Sequence, residues 1–166
     1  MKEYDIIFAD LDGTLIETIS GETFPNGIWD MKLRFDVLDA IKKLHPQYIF
    51  IVSNQGGIDN GRVNRLHFSH KLDYICSAIK EYCDCHCDAL YCSANESNPN
   101  RKPNVGMLSY FIERYFDDLR DYVKSASLMI GDASGKNGQF SDSDKKTAEN
   151  FGIAYMDVND FVNTDW

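Results

Sequence analysis

Five short runs of apolar residues, spread along the whole chain, constrain the fold of this protein more than any other feature. The runs are "YDIIFA" from Tyr4, "YIFIV" from Tyr48, "ALYC" from Ala89, "SLMI" from Ser127 and "IAYM" from Ile153. Their short length and their continuous, rather than alternating, apolar character are typical of strands that are covered on both faces. The runs therefore predict the strands of a parallel sheet.

Segments with helical spacing separate these runs. Apolar residues recur at intervals of three and four over residues 37–44, 72–83 and 107–119, as they do on the buried face of a helix. Residues 145–150 have the character of a last helix, and Gly152 is placed to cap its end. Strands that alternate with helices predict an α/β fold, an open doubly wound parallel sheet flanked by helices.

The size and the charge of the chain limit the number of domains it can form and the partners it can bind. A length of 166 residues with 43% hydrophobic content suits one core, so we expect a single domain over residues 1–166. The net charge of -9 argues against broad binding to duplex nucleic acid, because such binding needs many phosphate contacts. We see neither a signal segment nor an apolar run of about 20 residues. These features predict a soluble cytoplasmic protein without a membrane partner.

The five cysteines all lie between Cys76 and Cys92, and their number is odd. This crowding does not resemble the framework of a secreted disulfide protein. The spacing of Cys83, Cys85 and Cys87 also lacks the two-residue gaps of common zinc sites. We therefore expect reduced thiols that pack as small apolar side chains.

Polar residues stand at the ends of three apolar runs. The runs continue into "DLDGT" from Asp10, "SNQGG" from Ser53 and "GD" from Gly131. Because the carboxyl ends of parallel strands meet at one edge of a sheet, we expect Asp10, Asp12 and Asp132 to lie close to Ser53. The pair "RK" after the third run would add positive charge there.

Residues 18–31, "TISGETFPNGIWDM", form an unusually long connection directly after the two aspartates. Their Pro-Asn-Gly sequence predicts a turn or a small hairpin before the first helix. Ligands bind outside the carboxyl ends of the strands in open α/β sheets. We therefore expect this segment to form a flap over the ligand site.

Several carboxylates in one place repel one another unless a positive group offsets their charge. Magnesium is well suited, because it binds carboxylate oxygens and leaves room for phosphate oxygens. In such a site one aspartate can attack phosphorus and form an aspartyl-phosphate, and a second carboxylate can move the proton. Alternation along an extended segment would place Asp10 and Asp12 on the same side. Ser53 and the glycine-rich turn behind it offer donors for the phosphate.

The words "DLDGT", "SNQGG", "RKP" and "IGD" resemble, in order, the four motifs of the haloacid dehalogenase superfamily of phosphohydrolases. The resemblance implies a Rossmann-like core with a minimal cap. It implies that Asp10 is the nucleophile and Asp12 the general acid and base, and that Ser53 and Lys102 hold the phosphate. It also implies a Mg²⁺ ion that is bound by Asp10, Asp132 and the backbone of Asp12.

The sequences that flank these motifs, over residues 4–162, resemble the phosphatase domain of the polynucleotide kinase 3'-phosphatase family, which acts in DNA repair. They are "DLDGTLIETISGETFPNG", "SNQGGIDNGR", "RKPNVGM" and "GDASGKNGQFSDSDKKTAENFGI". This resemblance implies a 3'-phosphorylated DNA end as the substrate. It implies that Thr14, Asn54 and Arg101 bind substrate and that Asp144 is a supporting acid. Candidates for a local basic rim are Arg62, Arg65, Arg101, Lys136 and Lys146.

Two other functions stay open, although the chain has no P-loop motif and no kinase activity is expected. Phosphatases of small metabolites, such as heptose bisphosphate or histidinol phosphate, share "SNQ" and "RKP". Those enzymes usually carry a zinc loop before "RKP", and here Ala94 replaces its histidine and "NPN" contains no cysteine. The other alternative is a module that binds phosphate ends without hydrolysing them, which the loss of a motif aspartate would favour. No motif aspartate is missing.

Overall fold

A five-stranded parallel sheet forms the centre of the computed structural model, which describes residues 4–117 and 119–166. The strands along the chain are β1 Ile6–Ala9, β2 Ile16–Glu17, β3 Lys32–Leu33, β4 Tyr48–Asn54, β5 His86–Cys92, β6 Ser127–Gly131 and β7 Ala154–Asp157. The strand order in the large sheet is β5-β4-β1-β6-β7, and every neighbouring pair is parallel. Each predicted run is a strand of this sheet, so the predicted fold class is confirmed.

Helices connect the strands and cover both faces of the sheet. They are α1 Phe35–Leu44, α2 Gly56–Asp59, α3 Arg65–Cys83, α4 Gly106–Tyr115, α5 Arg120–Ala126, α6 Ser143–Phe151 and α7 Val158–Val162. Gly152 ends α6 in the left-handed conformation, with φ 84°, and its N–H donates to Ala148, as predicted for a helix cap. The apolar stripe predicted over residues 107–119 is helical only as far as Tyr115, and Phe116 and Leu119 lie between α4 and α5, where Asp117 takes a left-handed φ of 42°.

The core has two layers, one on each face of the sheet. Side chains of β1 alternate between the layers: Ile7 packs towards α1 and α3, and Phe8 packs towards α4 and α6. In the second layer the rings of Phe50 and Phe111 stack with their centroids 4.3 Å apart. Because both faces are covered, ligands have access at the ends of the strands. Within the described parts of the chain, every helix is too short or too polar to cross a membrane.

The cysteines are reduced, and two of them are buried. Cys83 and Cys92 pack in the two core layers, as predicted. Burial raises the pKa of Cys83 to about 11 and that of Cys85 to about 12. These thiols therefore stay protonated at neutral pH.

A second, two-stranded sheet forms the predicted hairpin. Strands β2 and β3 pair antiparallel, with Ile16 opposite Leu33 and Glu17 opposite Lys32. Residues 18–31 lie between these strands, and we call this segment the flap. The flap therefore begins only a few residues after the turn that contains Asp10 and Asp12.

Candidate active site

Lys102 lies between two buried carboxylates at the carboxyl edge of the sheet. Its Nζ is 2.6 Å from Oδ1 of Asp10, which follows β1, and 2.7 Å from Oδ1 of Asp144 on α6. All three residues are buried, and Asp144 is only 1% exposed. The structure thus brings together three residues that are far apart in the sequence.

The electrostatics of this group reflect burial and crowding. Burial raises the pKa of Asp10 well above its ordinary value, Asp144 and Asp132 raise it further, and Lys102 opposes them. Burial by itself would lower the pKa of Lys102, but the attraction of Asp10 and Asp144 outweighs it and raises that pKa. The single positive charge of Lys102 therefore cannot balance the negative charges of all the carboxylates around it.

Asp132, which follows β6, completes an acidic cluster. Among the residues that the structure describes, Asp10, Asp132 and Asp144 form the group whose ligand atoms all lie within 4.8 Å of one another. Burial, followed by the charge of Asp144, raises the pKa of Asp132 to about 6. Both oxygens of Asp144 already accept hydrogen bonds, from Lys102 and from the N–H of Ala133 at 3.1 Å. When all three carboxylates are ionised, the one ammonium leaves two negative charges, which suits a hard dication.

Gly13 allows Asp132 to approach the turn after β1. Its φ is 79°, and a Cβ at this position would lie 2.1 Å from Oδ2 of Asp132. The carbonyl of Gly13 also accepts a hydrogen bond of 3.2 Å from Arg34. The turn therefore needs glycine both for its backbone conformation and for space beside the acidic cluster.

Asp12 faces the end of β4, where Gln55 holds it. The Nε2 of Gln55 donates to Oδ2 of Asp12 at 2.6 Å and to Oγ of Ser53 at 2.8 Å. Strand β1 ends at Ala9, the N–H of Asp10 still donates to the carbonyl of Ile130 at 3.1 Å, and Asp12 forms an isolated bridge with Ile16. Gln55 is not among the site residues predicted from the sequence, although its place two residues after Ser53 is a signal that could have identified it.

The other predicted substrate-binding residues contact the protein itself. The side chain of Asn54 bonds the backbone of Lys102 in both directions, at 3.0 Å and 2.9 Å. Thr14 is fully buried and donates to Oδ2 of Asp10 at 3.5 Å. Arg101 donates to the carbonyl of Ala94 at 2.7 Å. Asn54 and Thr14 thus support Lys102 and Asp10, and their contact with substrate stays a prediction.

Solved structures share this architecture. One is the D,D-heptose 1.7-bisphosphate phosphatase from B. bronchiseptica, complexed with magnesium and phosphate, which superposes with a TM-score of 0.67 at 20% identity over 91% of this chain and 78% of that chain. The fold and the arrangement of carboxylates and lysine at the strand ends define a phosphatase of the haloacid dehalogenase superfamily. Residues 5–162 match the model of the family described as Polynucleotide kinase 3 phosphatase, and the chain belongs to that family.

Two relatives of this chain carry names that refer to different substrates. The bifunctional polynucleotide phosphatase/kinase of Schizosaccharomyces pombe is 33% identical over 93% of this chain, which spans 36% of that protein. A probable D-glycero-D-manno-heptose-1,7-bisphosphate 7-phosphatase of Thermoplasma volcanium is 27% identical over 81% of this chain and 90% of its own length. Homology therefore establishes a phosphatase and leaves two substrate classes for comparison.

Proposed function

We propose that this protein is a magnesium-dependent phosphomonoesterase that removes 3'-phosphates from polynucleotide ends. The observation that carries the proposal is the flap, which emerges from the turn of Asp10 and Asp12 and exposes Phe24 and Trp29. Membership of the polynucleotide kinase 3 phosphatase family supports the same substrate class.

The acidic cluster fits a magnesium ion. Asp10, Asp132 and the backbone carbonyl of Asp12 would hold it, while Asp144 stays bonded to Lys102. A bound Mg²⁺ would offset the charge of the cluster and of the phosphate oxygens. The magnesium and phosphate in the heptose bisphosphate phosphatase structure support this assignment.

In the first half-reaction, a carboxylate oxygen of Asp10 attacks phosphorus, and the bond from phosphorus to the 3'-oxygen breaks. The leaving oxygen takes a proton from Asp12, so that the products are a free 3'-hydroxyl and an aspartyl-phosphate. Lys102 and Ser53 stabilise the negative phosphoryl oxygens during this transfer. Gln55 positions the carboxylate of Asp12 for the proton transfer through its 2.6 Å bond.

In the second half-reaction, water attacks the phosphorus of the aspartyl-phosphate. Asp12, now ionised, takes the proton of that water, and the bond between phosphorus and Asp10 breaks. Inorganic phosphate leaves, and both aspartates return to their starting states. The chain's own carboxylates thus account for every proton in the cycle.

The flap offers a surface for nucleotide bases. Phe24 is 71% exposed and Trp29 is 70% exposed, so both rings are accessible to a bound strand end. Stacking of bases on aromatic rings tolerates any sequence, as an end-processing enzyme requires. Arg62, which is exposed shortly after α2, is placed to contact a backbone phosphate.

Three other candidates for the basic rim are already paired with carboxylates. Arg65 forms an ion pair with Asp59 at 3.4 Å. Lys136 pairs with Asp160 and Lys146 pairs with Asp142, both at 2.7 Å. The rim is therefore weaker than the sequence implied. We expect contact with a strand end and little affinity for the remainder of a duplex.

Hydrolysis of a small metabolite phosphate is the second candidate. The Thermoplasma volcanium relative, named as a heptose bisphosphate phosphatase, and the net charge of -9 favour it. The absence of the zinc loop and the aromatic flap argue for the polynucleotide.

A substrate panel decides between these functions. We would measure kcat/KM with Mg²⁺ for a 3'-phosphorylated oligonucleotide, for the same oligonucleotide phosphorylated at its 5' end, and for heptose bisphosphate and histidinol phosphate. We expect the 3'-phosphorylated strand to exceed each of the others by about 100-fold or more. A preference for a metabolite would establish the second candidate. Tight binding of the strand end without turnover would instead indicate a binding module.

A further inference from the structure

The flap has a polar centre. Among residues 18–31, all of which the structure describes, Asp30 is the buried residue, with 1% of its surface exposed. Its apolar neighbours Phe24 and Trp29 point outwards, so the usual order of buried apolar and exposed charged residues is reversed. A buried carboxylate is unfavourable unless hydrogen-bond donors surround it.

Donors from both arms of the flap converge on Asp30. Ser20 donates its N–H to Oδ1 at 2.8 Å and its hydroxyl to Oδ2 at 2.7 Å. The N–H of Asn26 donates to Oδ2 at 2.9 Å. Asp30 thus links the start, the tip and the end of the flap to one carboxylate.

These bonds favour the ionised form of Asp30. The N–H of Asn26 and the hydroxyl of Ser20 lower the pKa of Asp30 below its ordinary value. Bonds to an ionised acceptor are stronger than bonds between neutral groups. The flap is therefore held by charge-assisted bonds in a segment that has no apolar core of its own.

The stem of the flap is tied to the catalytic turn. Lys32 and Glu17 form an ion pair of 3.0 Å across β2 and β3, and Arg34 donates to the carbonyl of Gly13. Gly27 provides space for the indole of Trp29, because a Cβ there would lie 2.6 Å from its Nε1. A rigid flap on this stem would therefore hold its aromatic rings at a fixed place relative to Asp10.

We infer that Asp30 is a positioning residue that fixes the flap in one shape and so presents Phe24 and Trp29 to the bases of the substrate. The inference that the rings contact nucleotide bases rests on the proposed function. The inference that Asp30 holds the flap in one shape does not depend on the proposed function. Asp30 acts through the flap and has no contact with the reacting atoms. Its loss therefore weakens recognition of a polynucleotide and leaves the chemical step intact.

The test compares three variants with the wild-type protein. Asp30→Asn replaces one acceptor oxygen with an amide that cannot accept. Ser20→Ala removes the hydroxyl bond to Asp30 and the 3.3 Å bond that the same hydroxyl accepts from the N–H of Glu22, and it keeps the bond from the N–H of residue 20. Glu22→Gln is the matched control, because it removes one negative charge from an exposed position in the same flap. The readouts are hydrogen exchange of the flap amides without substrate, and KM and kcat for a 3'-phosphorylated oligonucleotide and for para-nitrophenyl phosphate.

For Asp30→Asn we expect exchange at Ser20 and Asn26 to accelerate about tenfold, and KM for the oligonucleotide to rise about tenfold at unchanged kcat. Turnover of para-nitrophenyl phosphate, which has no bases, should stay the same. Ser20→Ala should show the same pattern more weakly, and Glu22→Gln should leave flap exchange unchanged. Unchanged exchange in Asp30→Asn, or an equal loss on both substrates, would overturn the inference. A wild-type protein without preference for the oligonucleotide overturns the proposed function and the substrate half of the inference, while the exchange rates still decide whether Asp30 holds the flap.

Discussion

Lys102 and Asp10 form a buried ion pair, with Nζ 2.6 Å from Oδ1, and the same ammonium also contacts Asp144 at 2.7 Å. The lysine thus fixes the carboxylate that we assign as the nucleophile. Its own backbone is fixed by the side chain of Asn54. This chain of contacts explains how a loop after β5 reaches the end of β1 with a defined geometry.

Replacement of the nucleophile tests its assignment. Asp10→Asn keeps the shape of the side chain and removes its ability to attack phosphorus. We expect kcat to fall by about 10⁴-fold or more, because residues that form covalent intermediates have effects of this size. Asp73→Asn, which removes the same charge from an exposed position on α3, is the control and should keep full activity. Residual activity above a tenth of wild type would show that another group attacks.

Loss of the central lysine should destabilise the protein. Lys102→Met leaves Asp10 and Asp144 buried without their cation, and we expect the free energy of unfolding to fall by about 3 to 5 kcal/mol. Urea denaturation measures this loss, and added Mg²⁺ should recover part of it by offsetting the same charges. Lys145→Met, at an exposed position on α6, should change stability by about 0.5 kcal/mol or less. Equal effects of the two substitutions would contradict the buried ion pair.

Gly13 and Gly61 have the same backbone conformation, so their substitution distinguishes the effect of backbone strain from the effect of crowding against Asp132. Gly13 and Gly61 have φ of 79° and 77°, but only at Gly13 would a Cβ meet Asp132. Substitution of either glycine by alanine should lower the free energy of unfolding by about 1 to 2 kcal/mol, because alanine is strained in the left-handed backbone conformation. Titration of activity with Mg²⁺ should give a midpoint about tenfold higher for Gly13→Ala and an unchanged midpoint for Gly61→Ala. The same midpoint in both variants would show that Asp132 does not bind the ion.

The acidic cluster also predicts how pH and Mg²⁺ act together. The pKa of Asp132 is raised to about 6 in the folded protein, so the folded state binds its proton more tightly than the unfolded state does. Without Mg²⁺, Asp132 therefore contributes a loss of stability as pH rises from about 4 to about 6, and Asp10 acts in the same direction.

Addition of Mg²⁺ should reverse this loss where the carboxylates are ionised. At about 100 times its Kd, we expect Mg²⁺ to raise Tm by about 5 °C or more at pH 7.5, and by much less at pH 5, where protons compete. Calorimetry with and without Mg²⁺ measures the difference, and Asp132→Asn should abolish it at both pH values. A Tm increment that is the same at both pH values would refute the assigned cluster.

The amide of Gln55 should matter for proton transfer. Gln55→Ala removes the bonds to Asp12 and Ser53, and in the proposed cycle Asp12 is the ionised acceptor of the first bond during the second half-reaction. Since such bonds contribute about 1.5 to 3 kcal/mol, we expect kcat/KM to fall by about 10- to 100-fold. Gln47→Ala, at an exposed position before β4, is the control and should have no effect on steady-state kinetics. If both variants behave as wild type does, Gln55 has no part in the reaction.

The fold could be predicted from local patterns, because each strand of the large sheet contains a short apolar run and the long helices have apolar faces. Polar residues at the strand ends then identified the edge that carries the site. The short helices α2, α5 and α7 were not predicted, since four to seven residues give too little periodicity to recognise.

Contacts between distant segments were harder to anticipate. Asn54 bonds the backbone of Lys102 across 48 positions, and no local pattern indicates this partner. Asp12 is held by Gln55 from the end of β4, and no pattern near Asp12 in the sequence indicates this partner. Asp30 was not predicted to have a role, because its burial follows from the folding of the flap around it.

Detection of the covalent intermediate tests the central claim most directly. A single turnover of a 3'-phosphorylated oligonucleotide would be quenched in acid, and the peptides of the protein would be analysed by mass spectrometry. We predict a phosphoryl group on Asp10, formed with Mg²⁺ and absent when the oligonucleotide carries a 3'-hydroxyl. Release of phosphate without any phosphorylated peptide, or a phosphoryl group on another residue, would contradict the account.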